Sequence, residues 1–305
     1  GQGGTPEVRI AALRALWADG DPRVRAASVE AAAALDEPAA REIVGQAFAG
    51  PRGLEVATAT DGLAARAEAD RPLDPAVVDG LVGWAKLHED ADPELRLSLL
   101  AALGAVRPPA AAALCQAALG DPIGAIRAEA RECIIKVTGK EPAPVAPRAP
   151  AVIPVDPASV FGRKVRWTVV TTKGEFAIEF DADAAPWNVA TLVSLADKGY
   201  YDGTIFHRVV PDFVVQGGDP TGSGMGGPGF VVPAEPSPER FARGVVGIAD
   251  AGKDTGGSQW FVMHSRAPHL DGRYTIVGRV TRAMEVVDSL IMGDSIVSIR
   301  TVMEP

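Results

Sequence analysis

The sequence predicts a multidomain chain. An all-α helical-repeat solenoid spans residues 1–140, a Pro-rich linker spans 141–160, and a mainly-β antiparallel barrel spans 161–305. Three observations carry this reading. A short Pro-containing phrase recurs along an Ala- and Leu-rich first half. Six prolines crowd residues 141–157 (142, 144, 147, 150, 154 and 157). Beyond them the apolar pattern changes to period two, the spacing of strands with one buried face.

The recurring phrase reads Thr5-Pro-Glu-Val-Arg-Ile-Ala-Ala-Leu, then Asp21-Pro-Arg-Val-Arg-Ala-Ala-Ser-Val, then Asp92-Pro-Glu-Leu-Arg-Leu-Ser-Leu-Leu. A looser copy starts at Asp121-Pro, and a degenerate one lies near Pro51. Each copy supplies an N-cap residue followed by Pro at the first helical position, where its missing N–H costs nothing. Val24, Ala27, Val29 and Ala31–Leu35 offer an apolar helical face. Less marked helices fall at Pro38–Phe48, Asp74–Leu87 and Pro109–Leu119. Helix, turn, helix and the phrase again is the pattern of stacked helical hairpins. It resembles HEAT-like repeats over about 130 residues; an irregular Ala-rich bundle is the alternative.

A stretch with so many prolines is a semi-rigid, extended linker. After it Trp167, Val169 and Thr171 alternate with their neighbours, Lys173-Gly174 turns the chain, and Phe176, Ile178 and Phe180 alternate again. Pro186–Gly199 reads as a helix. Short strands are expected at 205–210, 245–249, 259–263 and 274–280, a helix near Met284–Ile291, and a last strand at Ser295–Met303. Short strands between Gly/Pro loops, with only two helices, indicate a closed or nearly closed barrel.

Charge excludes one broad class. Residues 1–140 carry 15 Lys/Arg against 20 Asp/Glu and the remainder 15 against 19, so neither half presents the basic footprint of a nucleic-acid binder. No apolar run approaches the roughly 20 residues of a membrane-spanning helix. Cys115 and Cys133, the two cysteines, are too few for a zinc site or a disulfide framework. They read as small buried thiols, with a single disulfide as the alternative. The chain opens Gly1-Gln2-Gly3-Gly4 without Met, as a fragment or processed form does. A bacterial cell envelope and the cytoplasm both stay open as locations, the envelope being favoured.

The second half contains three specific blocks. Phe206-His-Arg-Val-Val-Pro-Asp-Phe-Val-Val-Gln-Gly-Gly-Asp219 is followed by Val246-Gly-Ile-Ala-Asp-Ala-Gly252 continuing to Thr255-Gly-Gly-Ser-Gln-Trp-Phe-Val262, and then by His269-Leu-Asp-Gly-Arg-Tyr274. In order and spacing, over about 140 residues, these blocks resemble the cyclophilin-type peptidyl-prolyl cis–trans isomerases. The resemblance implies an eight-stranded antiparallel barrel with two capping helices. It also implies that proline-containing peptides and unfolded proteins are the partners, with no cofactor and no metal.

The chemistry is consistent with such residues. An X–Pro bond turns over a barrier of about 18–20 kcal/mol because amide resonance must be broken. Turnover at ~10³ s⁻¹ needs a barrier near 13 kcal/mol, so roughly 6 kcal/mol must be removed. No bond forms or breaks, so a positioned donor to the prolyl nitrogen and a dry pocket for the ring suffice. Arg208 suits the donor role, since guanidinium is a fixed fork that keeps its protons.

By the resemblance, Phe213, Phe261 and Leu270 wall the proline pocket with Val214 beside them, and Gln216 orients Arg208. Ala249, Asp250 and Gln259 line the groove for the peptide backbone, and His269 and Tyr274 belong to its rim. Asp250 stands where the family usually has Asn, and His269 where inhibitor-sensitive members usually have Trp. His207, next to Arg208 in a strand-like run, faces the other side and is structural. The competing reading is a proline-peptide binding module or scaffold with little catalytic role. In either case the helical repeats are expected to bind a protein partner or client. Gly222–Gly227 fits G-x-G-x-x-G, but no helix follows to hold a phosphate, so it reads as a surface loop.

Overall fold

Prolines open most of the helices in the first half, and aspartates cap several of them. The computed structural model describes residues 5–50, 53–88 and 91–305. Its first eight helices are α1 (Pro6–Trp17), α2 (Pro22–Ala33), α3 (Pro38–Ala47), α4 (Gly53–Glu68), α5 (Pro75–Leu87), α6 (Pro93–Val106), α7 (Ala111–Ala118) and α8 (Gly124–Thr138). Asp21, Asp74 and Asp92 each accept a bond from the second helical N–H, with Pro at the first position. Asp121 departs from the expected pattern. Its carboxylate caps Ile123 N–H, and α8 starts only at Gly124, past the Asp-Pro pair. That carboxylate is also engaged by Arg96 of α6, which holds the turn in place ahead of the helix.

Helices α2, α4, α6 and α8 pack in succession as one layer, and α1, α3, α5 and α7 form a second layer against them. The buried stripe of α2 is Ala26, Ser28, Val29, Ala32 and Ala33; Ala27, Ala31 and Ala34 are exposed, so the stripe is narrower than the sequence suggests. At the α2–α4 crossing a Cβ on Gly62 would sit 2.6 Å from the Ala33 Cβ, so only glycine permits this approach. Buried charge links neighbouring pairs. Arg25 donates to Glu55, which is 1% exposed, at 2.6 Å, and Arg66 donates to the Ala33 and Leu35 carbonyls at 3.0 Å. Breaking one partner of such a pair leaves an uncompensated buried charge. The degenerate copy near Pro51 begins outside the described residues.

Cys115 and Cys133 are joined by a disulfide between α7 and α8, which corrects the expectation of two buried thiols. The two helices pack side by side and bring the Cα atoms to 6.1 Å, inside the roughly 4.4–6.8 Å that the bond spans. A sequence separation of 18 gave no sign of this approach. Next to the bridge, the Pro-rich stretch is tied down rather than free: Arg148 N–H donates to the Gly120 carbonyl at 2.8 Å, and Arg131 pairs with Glu141. The described chain divides into two compact units, the break falling between Pro150 and Ala151.

The second unit is a curled, wholly antiparallel sheet. Its strands are β1 (Lys164–Thr171), β2 (Gly174–Phe180), β3 (Arg208–Val210), β4 (Val214–Gly217), β5 (Val245–Ile248), β6 (Trp260–Met263), β7 (Ile276–Arg282) and β8 (Ile296–Glu304). They lie in the order β3-β4-β6-β5-β7-β2-β1-β8. A bridge between Ile205 and Ser295 brings the two edges together at one end. Helices α9 (Pro186–Asp197) and α10 (Met284–Ser289) pack on the sheet against β8 and β2. The interior buries Trp167, Trp260, Tyr201 and Phe206 in edge-to-face contacts, and Val160, just past the prolines, joins that core.

Losing the α7–α8 cross-link returns chain entropy to the unfolded state, about 3 kcal/mol for a loop of this size. Cys115→Ser/Cys133→Ser in the full chain should shift the helical unfolding transition, followed by circular dichroism in urea, to lower denaturant. The transition of the second unit, followed by loss of the expected isomerase activity on a proline tetrapeptide, should stay in place.

Candidate functional site

Strand alternation sorts the second unit into two apolar clusters. Val215, Val246, Ile248, Trp260, Val262 and Val277 point into the main core. Their neighbours Val214, Val245, Phe261, Met263 and Ile276 point to the other side of the sheet, where Phe241, Ala267 and Leu270 join them. Phe213, Ala249 and Tyr274 pack on this second cluster while remaining partly open to solvent. The structure thus gathers Phe213, Val214, Ala249, Phe261, Leu270 and Tyr274 around one apolar patch.

Glycine makes the patch possible. A Cβ on Gly247 would meet Phe261 at 2.5 Å and Phe241 at 2.7 Å. Those two rings instead stack over the bare backbone, centroids 5.7 Å apart, and Tyr274 meets Phe261 edge-on at 6.3 Å. Phe241 itself is pinned by Asp271, which accepts its N–H at 2.9 Å, and by Ala267, whose N–H donates to its carbonyl at 3.0 Å.

A polar chain borders the patch. β3 and β4 pair Arg208 with Gln216, and β4 and β6 pair Gln216 with Phe261. Arg208 Nη1 lies 3.4 Å from Gln216 Oε1, a long hydrogen bond. Gln216 Nε2 then donates to Gln259 Oε1 at 3.0 Å, and Gln259 Nε2 donates to the Gly224 and Gly226 carbonyls at 2.8 and 2.9 Å. The exposed guanidinium also lies over the Phe213 ring, 5.5 Å from its centroid, and His269 stacks on the same ring with centroids 5.6 Å apart. The loop that Gln259 grips is the G-x-G-x-x-G segment. It is folded around buried Asp219, which accepts Thr221 N–H at 2.7 Å and also binds Gly224 N–H.

Asp250 follows Ala249 at the end of β5. Ala249 N–H is fixed to the Gln259 carbonyl at 3.0 Å, and Asp250 Oδ1 accepts Gly252 N–H at 3.1 Å. Burial pushes its carboxyl up to about 6, the Gly252 bond opposes that, and the nearby charge of Asp254 adds to it. His207 lies apart from the apolar patch, against Gly224, and burial lowers its pKa.

Phe241 and Met263 belong to the cluster but were not read from the sequence. Phe241 was detectable as a lone aromatic in the charged run Pro238-Glu-Arg-Phe-Ala-Arg243.

Comparisons with known proteins fall on this unit. A family model described as "Cyclophilin type peptidyl-prolyl cis-trans isomerase/CLD" matches residues 166–301. Peptidyl-prolyl cis-trans isomerase B of Bacillus subtilis is 46% identical over 127 residues, covering 40% of this chain and 89% of the relative. A peptidyl-prolyl cis-trans isomerase of Helicobacter pylori is 44% identical over 136 residues, covering 43% and 83%. Among solved structures, a cyclophilin type isomerase of Cryptosporidium parvum superposes with TM-score 0.44 at 28% identity, covering 47% of this chain and 99% of that one.

The raised Asp250 carboxyl has a sign that can be checked. With the folded value near 6 and the ordinary value 3.8, the folded state holds the proton more tightly, so stability falls as pH rises through that window. Asp250→Asn should therefore raise the melting temperature of the barrel unit at pH 7.5 but not at pH 3.5. Thermal melts of both chains at the two pH values decide it; a pH-independent difference would contradict the assignment.

Proposed function

The chain belongs to the cyclophilin-type peptidyl-prolyl cis–trans isomerase family, and we propose from that premise how its second unit turns an X–Pro bond and what its helices add. The chain is a peptidyl-prolyl cis–trans isomerase. The proposal concerns which residues act.

As the amide twists, the prolyl nitrogen loses its share of the resonance and its lone pair localises. Arg208 donates to that nitrogen. A donor aimed at charge that exists only in the twisted state lowers the barrier more than it tightens binding. The prolyl ring sits on the patch formed by Phe213, Val214, Phe261 and Leu270, which excludes water from the amide. Gln216 and Gln259 position the guanidinium, and the observation that carries this reading is their hydrogen-bond chain. A side chain tied through two amides to a folded loop pays its ordering entropy during folding rather than at each turnover. Ala249, Asp250, His269 and Tyr274 border the peptide. A module that only bound proline would need the apolar patch but not the arginine.

We propose further that the helices form a HEAT-like repeat domain at 1–140 that binds a protein partner or unfolded client, with the two units acting as separate domains across the linker. Stacked helical pairs offer an extended surface suited to that task. A second weak site on the same chain raises the effective concentration of client near the barrel.

Two experiments test these readings. Arg208→Ala should lower kcat/KM on a proline tetrapeptide by about 10²–10³, the range for losing one transition-state donor, while the dissociation constant of that peptide changes far less. Activity near that of the unmodified chain would remove Arg208 from the mechanism. A fragment from Pro157 to Pro305 should match the full chain on the tetrapeptide and fall behind it on an unfolded protein substrate. Equal rates on the protein substrate would dismiss client capture.

A further inference from the structure

We infer that Asp250 makes this isomerase select X–Pro bonds that have a lysine or arginine close by in the client sequence. The inference rests on the reading of the apolar patch as the isomerase site.

Its starting point is a carboxylate at the edge of the patch with no counter-charge from the protein. Asp250 is half-buried, and its one hydrogen bond among the described residues is from Gly252 N–H to Oδ1. An ionised carboxylate has about four lone-pair sites, so it can accept further donors from a bound client. Among the described residues it also enters no ion pair, although 16 arginines and lysines elsewhere in the molecule do. The nearby charge acting on it is of its own sign. Asp254 is held in place by accepting Ala234 N–H at 3.0 Å. At neutral pH the edge of the groove therefore carries negative charge that the protein does not balance.

The surrounding loop holds this carboxylate still. Ala251 N–H donates to Thr255 Oγ1 at 2.8 Å, Thr255 Oγ1 donates to the Gly252 carbonyl at 2.6 Å, and Val232 pairs with Gly256. One residue before Asp250, Ala249 packs on the same cluster as Phe261. The charge thus lies about one residue, ~3.8 Å of chain, from the patch that would hold the prolyl ring. A client segment in extended form advances about 3.3 Å per residue, so the positions able to reach Asp250 lie within about three residues of the proline.

A peptide N–H could also donate to this carboxylate, but every client has one, so it confers no preference. A cationic side chain supplies both a donor and the missing counter-charge, whereas an acidic one meets a like charge. Discrimination at such an edge works by attraction and by repulsion together. The half-buried setting places the effect between an exposed pair and a buried one, and tenfold between Lys and Glu is the expected size.

The test uses the full chain and a series of proline hexapeptides. Lys, Ala or Glu occupies, in turn, each of the three positions before the proline and the two after it. At pH 7.5 and low salt, at least one position should show kcat/KM about tenfold higher for Lys than for Glu, about 1.4 kcal/mol. That ratio should shrink as salt rises, since the pair is partly screened. In Asp250→Asn and in Asp250→Ser the ratio should fall to about one. A Lys/Glu ratio of one at every position in the unmodified chain overturns the inference, as does a ratio that survives both substitutions. The all-Ala peptide separates the two levels of the argument. If it is not isomerised at all, the site reading fails; if it is isomerised without charge preference, only the selectivity fails.

Discussion

Successive side chains of a strand point to opposite faces, and every part of the second unit depends on that alternation. On β6, Trp260 and Val262 fill the main core while Phe261 and Met263 face the site. On β4, Val215 goes inward while Val214 and Gln216 go outward; on β5, Gly247 lies between two core residues and leaves room for the rings of Phe241 and Phe261. A slip of one residue in any of these pairings would exchange the faces, exposing Trp260 and burying Gln216. The stable core and the proposed isomerase surface are therefore two sides of one registered sheet. The same pairing that excludes water from the first places the donors of the second.

This arrangement suits a reaction in which no bond is broken. Where chemistry is only rotation, the protein contributes position and a low-dielectric surface rather than a reactive group. Arg208 is exposed and long, so by itself it would be a mobile charge. Gln216, directly across the β3–β4 pair, lies 3.4 Å from it, and Gln259, anchored to Gly224 and Gly226, holds Gln216; in the proposed mechanism these two amides position the charge. The glycine-rich loop serves that polar chain, and Asp219 is its internal support.

Much of this was legible in the sequence, and the misses share a physical cause. The hairpin of β1 and β2 announced itself through long, clean alternation, and its register pairs Trp167 with Ile178 across the turn. β4 did not: Val214–Gly217 follows β3 after only three residues, so the two short strands did not separate in the pattern. Helix α4 was marked only by the degenerate copy near Pro51, since its start lacks the Asp-Pro pair that marks its neighbours. Of the site, the residues in the three blocks could be named by resemblance. Phe241 could not, since it reaches the cluster from a loop and owes its place to Asp271, 30 residues later. The Cys115–Cys133 bond was invisible for a related reason: a pair of cysteines 18 residues apart becomes a bridge only when helix packing aims them at each other.

That bridge ties the end of the helical unit to events outside the polypeptide. Joining the two sulfurs removes two electrons and two protons, so the last helical pair reaches its final covalent form only after the chain has met an oxidant. In a cytosol buffered by glutathione the same sequence would keep two thiols, whereas in an oxidising compartment it would not. Both sulfurs end up fully buried between α7 and α8. Burial of both sulfurs slows exchange with soluble thiols, so the state of the pair reflects the redox environment in which the helices closed.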